Sequence, residues 1–357
     1  MSRPGVPIDV RPLSSLRGGD EPSFGGKSSA LGELLAAGIR VPAGFALPCE
    51  ASEHFIAEAG LEPKISAALQ RARGGELAEV TAAAHQIAGA MRAVELPQAV
   101  RAAVAEHYRR LAEDAGDAAP AVAVRSSAIG EDSAEAAFAG QQETYLWVRG
   151  ADAVCDALRD CWISLYSAEA ISYRAHLGGE RRAAMGVAVQ LMVDAHVAGV
   201  MFTCNPVTGD PSMIAINASW GLGPAIVGGE VTPDDLLVSK VTGEVVRETV
   251  SQKLIEYVPD SVAGAMERRE VPPERAGAPC LDGPARAALL ELARAAERHF
   301  GSHQDIEFAI ARTGAPPENV FVVQSRPVTG VAPRVGGVGA AASALGLVMQ
   351  KFGAGGA

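Results

Sequence analysis

The spacing of apolar residues changes character along this chain, and each change predicts a different kind of element. After a polar start, Phe24-Gly25-Gly26-Lys27 leads into a helical pattern with Leu31, Leu34 and Leu35 on one side. Gly38 stands where a glycine just past a helix would end that pattern, and Pro42 prevents its return. Residues from about 49 to 118 read as helix throughout, interrupted near Gly60, Gly74-Gly75 and Pro97. This predicts a helical insertion. Residues 121–124 and 144–148 then read as short strands rich in β formers. A helix follows, with Val154, Leu158, Cys161, Trp162 and Leu165 spaced for one face. Residues 186–193, 197–203, 213–218 and 236–241 read as strands separated by Gly, Pro and Asn. A last helix carries Leu289, Leu292, Ala296 and Phe300 on one side, and strands at 304–310 and 320–326 follow it. Beyond Pro327 the chain is Gly- and Ala-rich without a clear period and reads as a tail or docking segment.

This pattern predicts an α+β fold of two lobes with antiparallel sheets. The expected division is a first lobe over residues 1–184, holding the helical insertion, a second over 185–330, and a tail over 331–357. A length of 357 residues agrees, since it exceeds what one hydrophobic core usually holds.

Composition removes several function classes. Apolar residues make up 48% and charged residues 20%, as in an ordinary globular protein. A net charge of -11 without a basic stripe argues against nucleic-acid binding; Arg109-Arg110 and Arg181-Arg182 read as solvated surface. Cys49, Cys155, Cys161, Cys204 and Cys280 are scattered without a C-x-x-C pair, so they read as buried thiols of a reducing compartment, not as zinc ligands. The histidines show no metal-ligand spacing. Residues 1–11 lack the apolar run of a secretory signal, and the weakly polar stretch 336–350 is too short to span a bilayer, so no membrane contact and a cytoplasmic location are expected.

Four segments could carry chemistry. In Gly25-Gly26-Lys27-Ser28, backbone N–H groups and a helix N-terminus could meet an anion, with Lys27 adding a mobile charge. The phosphate-loop pattern G-x-x-x-x-G-K fails, because its first glycine falls on Glu21, and a plain helix start explains the segment equally well. Arg125 ends an apolar strand, where a guanidinium can project into a cleft and fit phosphate oxygens; a surface ion pair is the alternative. The small and polar residues of 131–144 suit a loop folding over phosphates, or an ordinary surface loop.

The fourth segment is the final hairpin. Alternation puts Asp305 and Glu307 on one face of their strand, and Gln324 and Arg326 on one face of theirs. Folding the two about a turn near residue 315 sets Glu307 beside Gln324 and Asp305 beside Arg326. Two oxygen ligands on a rigid strand pair could hold Mg²⁺, with Arg326 neutralising phosphoryl charge and Asp305 orienting it. A solvent-facing polar ladder is the alternative. Trp220-Gly221-Leu222-Gly223 is rejected as a dinucleotide fingerprint, because Ile226 holds the third glycine position and Pro224 interrupts.

Taken together, these segments resemble the nucleotide domain of the phosphoenolpyruvate synthase and pyruvate phosphate dikinase family. The resemblance runs through residues 25–34, Val41-Pro42-Ala43-Gly44-Phe45, Val124-Arg125-Ser126-Ser127-Ala128 and residues 138–144. It continues through Val200-Met201-Phe202-Thr203, Asn205-Pro206, residues 220–223, Asp305-Ile306-Glu307-Phe308 and Gln324-Ser325-Arg326-Pro327, covering about residues 9–329. It implies an ATP-grasp fold with ATP between two lobes. It also implies Lys27, Arg125 and Arg326 on phosphates, Glu307 and Gln324 on Mg²⁺, Thr144 near the phosphates and Gln190 near adenine. In that family a phosphoryl group passes from ATP to a histidine on a swivelling domain. The sequence ends where that domain would begin, and no Thr-Ser-His-like motif occurs in it. The expectation is therefore an ATP-binding phosphotransferase subunit whose histidine lies on a separate partner chain, an arrangement resembling phenylphosphate synthase. An ATP domain serving pyruvate or a drug hydroxyl, as in rifampin phosphotransferase, or a non-catalytic nucleotide-binding protein are the alternatives. Pro224 also departs from the pattern, since relatives often carry Glu there.

Overall fold

A computed structural model describes residues 8–129, 143–176, 184–260 and 265–328. The loop reading at 131–142 and the tail reading at 331–357 fall outside those residues. The chain divides into two compact units, one of residues 1–32 and 43–192, the other of residues 33–42 and 193–357.

The first unit is built on a five-stranded antiparallel sheet. Its strands are β1 (Arg11–Pro12), β2 (Gly44–Leu47), β3 (Val122–Ala128), β4 (Thr144–Val148) and β5 (Met185–Leu191), ordered β1-β2-β5-β3-β4. Two short helices precede the second strand, α1 (Glu21–Phe24) and α2 (Gly26–Ala36), the latter closed by Ile39 N–H donating to Leu34 O at 3.0 Å. Between β2 and β3 the chain forms α3 (Cys49–Glu58), α4 (Glu62–Arg71), α5 (Leu77–Arg92) and α6 (Gln98–Ala115). Helices α7 (Ala151–Ser164) and α8 (Ala168–His176) separate β4 from β5. One apolar cluster joins the helices to the sheet. Phe55, Ile87, Val104, Leu158 and Trp162 meet Val122, Val124, Val187 and Val189 there. The α7 face expected from the sequence is the buried one, and the Trp162 indole N–H donates to Met185 O at 3.2 Å.

Strand β5 pairs with β2 and β3, so residues 185–191 belong to the first unit, not to the second lobe as the sequence suggested. A continuous apolar strand carries no mark of which sheet it will join, because pairing partners lie far away in sequence.

The second unit holds a six-stranded antiparallel sheet ordered β13-β12-β6-β7-β8-β9. Its strands are β6 (Ala195–Phe202), β7 (Met213–Trp220), β8 (Asp234–Ser239), β9 (Val245–Thr249), β12 (Gln304–Ala311) and β13 (Val320–Pro327). A separate hairpin, β10 (Ile255–Asp260) with β11 (Ala265–Glu270), sits between the short helices α9 (Pro224–Val227) and α10 (Pro273–Ala276). Helix α11 (Gly283–Phe300) packs on β12 and β13. Its start is capped by Asp282, whose Oδ1 accepts from Ala285 N–H at 2.8 Å. It buries Ala285, Leu289, Leu290, Ala293 and Ala296, a face turned from the expected one, with Leu292 and Phe300 only half-buried.

Outermost strand β9 is exposed at every residue, Val245 and Val246 included. Arg247 reaches Asp235 at 2.8 Å and Glu248 reaches Arg286 at 3.4 Å. The β10–β11 hairpin was not legible in the sequence. Its β11 strand is largely exposed and charged, and it is fastened by ion pairs instead of an apolar alternation. Glu256, fully buried, accepts from Arg269 directly across the hairpin at 2.9 Å and from Arg275 at 3.2 Å.

All five cysteines are free and buried. No helix among the described residues is long and apolar enough to cross a membrane.

Candidate functional site

The first unit gathers two cations at one end of β3. Gly25 ends α1 with φ +79, a conformation that L side chains rarely adopt, and a Cβ there would lie 2.0 Å from Ser127 O. Glycine thus lets the chain press its backbone onto β3 before α2 begins. Ser28 N–H donates to Ser127 Oγ at 3.1 Å, and the Lys27 ammonium donates to Ser126 O at 2.7 Å. Lys27 therefore rests on the residue immediately after Arg125, and both side chains are buried.

Register supplies the rest. Arg125 faces Thr144 on β4 and Ala188 on β5, and Gln190 faces Ala123 on β3 and Gly44 on β2. Side chains directly opposite each other share a face, and so do alternate residues of a strand. Arg125, Thr144 and Gln190 consequently lie on one side of the five-stranded sheet. Gln190 is 2% exposed, and its Nε2 makes no hydrogen bond. A buried amide donor without an acceptor is costly, and it is the kind of group that a bound polar molecule satisfies. Beside this face, Trp147 adopts φ +61 where β3 and β4 slip register, a strained backbone of the sort concentrated near working sites.

The second unit carries the oxygen donors. Glu307 pairs with Gln324 and Asp305 with Arg326, the register expected from the sequence, with the ladder slipping just after Glu307. Arg326 donates to Asp305 Oδ2 through Nε and a terminal nitrogen, each at 2.9 Å. Intervening residues point to the other side and are satisfied there: Ser325 Oγ donates to Gln304 Oε1 at 2.9 Å, and Gln304 N–H to Thr203 Oγ1 at 2.9 Å. The half-buried Glu307 carboxylate beside an amide is an all-oxygen donor pair on a rigid strand pair. It fits a hard divalent cation such as Mg²⁺, which keeps waters and draws further ligands from phosphates.

Sequence reasoning passed over the neighbouring strands. Glu307 faces Val200 on β6, and Val200 faces Asn217 on β7, so the metal-type pair continues into a row that runs through Asp235 on β8 to Thr249 on β9. Polar residues at alternate positions of an otherwise apolar strand, Asn217 and Ser219, were the available signal. Over the same face an apolar cluster of Val200, Phe202 and Ala215 packs against Ala225, Ile226 and Val231.

The turn leading into α9 is held from behind. Gly221 has φ +78, and a Cβ there would lie 2.4 Å from Tyr257 O. Trp220 just before it is covered by the Arg275 guanidinium at 4.6 Å and packs against His196 at 5.1 Å. Burial, then the charges of Arg275 and Arg312, hold the His196 imidazole below its ordinary value of 6.5. The folded protein therefore takes up this proton less readily than the unfolded chain. Its contribution to stability is whole above the ordinary histidine range and is lost as pH falls through and below it. Thermal unfolding of His196→Phe is expected to lose less midpoint between pH 8 and pH 5 than the parent; equal losses would show that His196 plays no part.

The described residues thus bring Arg125, Thr144, Gln190 and the Lys27 anchor together in one unit, and Asp305, Glu307, Gln324 and Arg326 together in the other. The family described as "Pyruvate phosphate dikinase, AMP/ATP-binding domain" matches residues 21–336. Similar proteins include the probable phosphoenolpyruvate synthase of Methanothermobacter thermautotrophicus, 40% identical over 85% of this chain and 44% of the relative. The phosphoenolpyruvate synthase of Aeropyrum pernix is 39% identical over 86% of this chain and 41% of its own length. That of Pyrococcus furiosus is 33% identical over 90% and 44%. The chain therefore spans about two fifths of the length of these curated relatives.

Proposed function

Since the chain belongs to the pyruvate phosphate dikinase AMP/ATP-binding domain family, we propose that it binds Mg·ATP and passes a phosphoryl group to a histidine on a separate partner chain. Lys27, Arg125 and Arg326 grip the phosphates, with Thr144 beside them, and Gln190 meets the adenine. Asp305 holds the Arg326 guanidinium in its phosphate-facing orientation. Glu307 and Gln324 supply oxygens to Mg²⁺, which when bound neutralises charge on the phosphates. Phosphoryl transfer asks a protein for positioning and charge neutralisation more than for covalent chemistry, and the residues named here are of that kind. The observation that carries the reading is the Glu307–Gln324 and Asp305–Arg326 register, an acid and amide next to an oriented guanidinium on one strand pair. The five buried, free thiols support a reducing, cytoplasmic setting.

A direct test incubates the protein with host extract and ATP labelled separately at the β and γ positions. Acid-labile, base-stable label on a second polypeptide is expected, and its position tells which phosphate moves. Label that stays on this chain, or none on any polypeptide despite ATP consumption, would refute transfer to a partner histidine.

A further inference from the structure

Two buried polar side chains of β7 each carry an oxygen that the fold leaves without a hydrogen-bond partner. Asn217 is 2% exposed and Ser219 is 1% exposed. Asn217 Nδ2 donates to Asp235 Oδ2 at 3.2 Å, and because a carboxylate only accepts, this fixes the amide with Oδ1 facing away. That Oδ1 makes no hydrogen bond, and neither does Ser219 Oγ. Native proteins leave few such groups unsatisfied, and those they leave call for a water or a ligand.

Their placement points to the ligand. Asn217 lies level with Glu307, with only Val200 of β6 between them. Two strand spacings put it about 10 Å from Glu307 across the sheet. Ser219 is the next residue along on the same face, opposite Ala198, which in turn faces Ala309. The row beside the hydroxyl is thus made of small side chains. The amide oxygen in this position wants a donor, and the hydroxyl beside it can either donate or accept. A nucleotide with its phosphates at Glu307 carries hydroxyl donors on the sugar next to them.

We infer that Asn217 and Ser219 hold the ribose hydroxyls and make the site selective for ribonucleotides. The inference rests on the nucleotide reading above and adds to it a sugar-recognising edge on β7. Asp235 acts at one remove, by orienting the Asn217 amide.

Calorimetry of the full chain with Mg·ATP and with Mg·2′,3′-dideoxy-ATP tests it. The parent protein is expected to prefer ATP about tenfold or more, the worth of a well-made hydrogen bond to a buried group. Asn217→Ala and Ser219→Ala should each narrow that preference to about threefold by weakening ATP alone. Should Asn217→Ala fail to fold, Ser219→Ala, which leaves the Asn217–Asp235 contact intact, carries the test. ATP bound without preference for its sugar overturns the inference and leaves the nucleotide reading standing. Variants that weaken both nucleotides alike would show that these atoms serve an internal water and also overturn it. No Mg·ATP binding by the parent would overturn the nucleotide reading, and this inference with it.

Discussion

Replacing Glu307 with alanine is expected to remove most of the gain in ATP affinity that Mg²⁺ gives the parent protein, by at least about 100-fold. Loss of a group that merely orients a metal ligand costs about 10- to 100-fold in affinity, so loss of the ligand itself sets the upper end as a floor. Gln324→Ala should cost less, because a neutral amide oxygen attracts a divalent ion more weakly than a carboxylate does. The half-buried Glu307 contributes little to the core, so the unfolding midpoint should move by only a few degrees. Calorimetric titration of ATP at graded Mg²⁺ concentrations measures both effects. An equal Mg²⁺ dependence in the parent and Glu307→Ala proteins would take the metal away from this strand pair.

The largest expected effect on stability lies elsewhere in the second unit. Lys253 and Asp234 form an ion pair with both partners buried, 0% and 2% exposed at their side chains. Lys253 also donates to Ser251 O at 2.7 Å, while Asp234 accepts from Ser251 N–H at 2.9 Å and Cys280 N–H at 2.8 Å. Lys253→Met leaves a carboxylate buried without its cation. Such a loss costs about 3–5 kcal/mol, or roughly 10 °C of midpoint in a domain of this size. Asp234→Asn should cost as much or more, since it strands an ammonium. The double variant is expected to recover part of the loss, because neither charge then remains buried alone. Thermal unfolding of the three proteins decides the matter. A Lys253→Met midpoint within 2 °C of the parent would show that water reaches this pair.

The sequence was most informative where local rules decide the outcome. Asp305, Glu307, Gln324 and Arg326 could be paired in advance because strand alternation and one short turn leave little freedom in register. The α7 face was readable for a similar reason: its buried residues follow the helical period closely. Long-range pairing was less legible. Nothing within residues 185–191 says that they join β2 and β3, and nothing in the exposed residues of β11 says that Glu256 will bind Arg269 across from it. Asn217 and Ser219 were overlooked because two polar residues in a strand look like solvent-facing positions until the sheet is seen to bury them. Arg125 and Gln190 stand far apart in the chain, and only the pairing of β3 with β5 puts them on one face.

The outer edge of the larger sheet has a consequence for how the protein behaves in a crowded solution. Strand β9 exposes two valines together with unpaired backbone, a combination that invites strands of other molecules to add on. Full-length antiparallel pairing of residues 245–249 with the same strand of a second copy centres on Arg247; sliding to the next same-face registers centres on Glu248 one way and on Val246 the other. The registers centred on Arg247 and on Glu248 set identical charges against each other across the seam, which is unfavourable, and only the shorter register centred on Val246 escapes this. The very residues that tie β9 to its own chain therefore make it a poor template for copies of itself, and growth of the sheet into fibres or sticky assemblies is discouraged at its most exposed border.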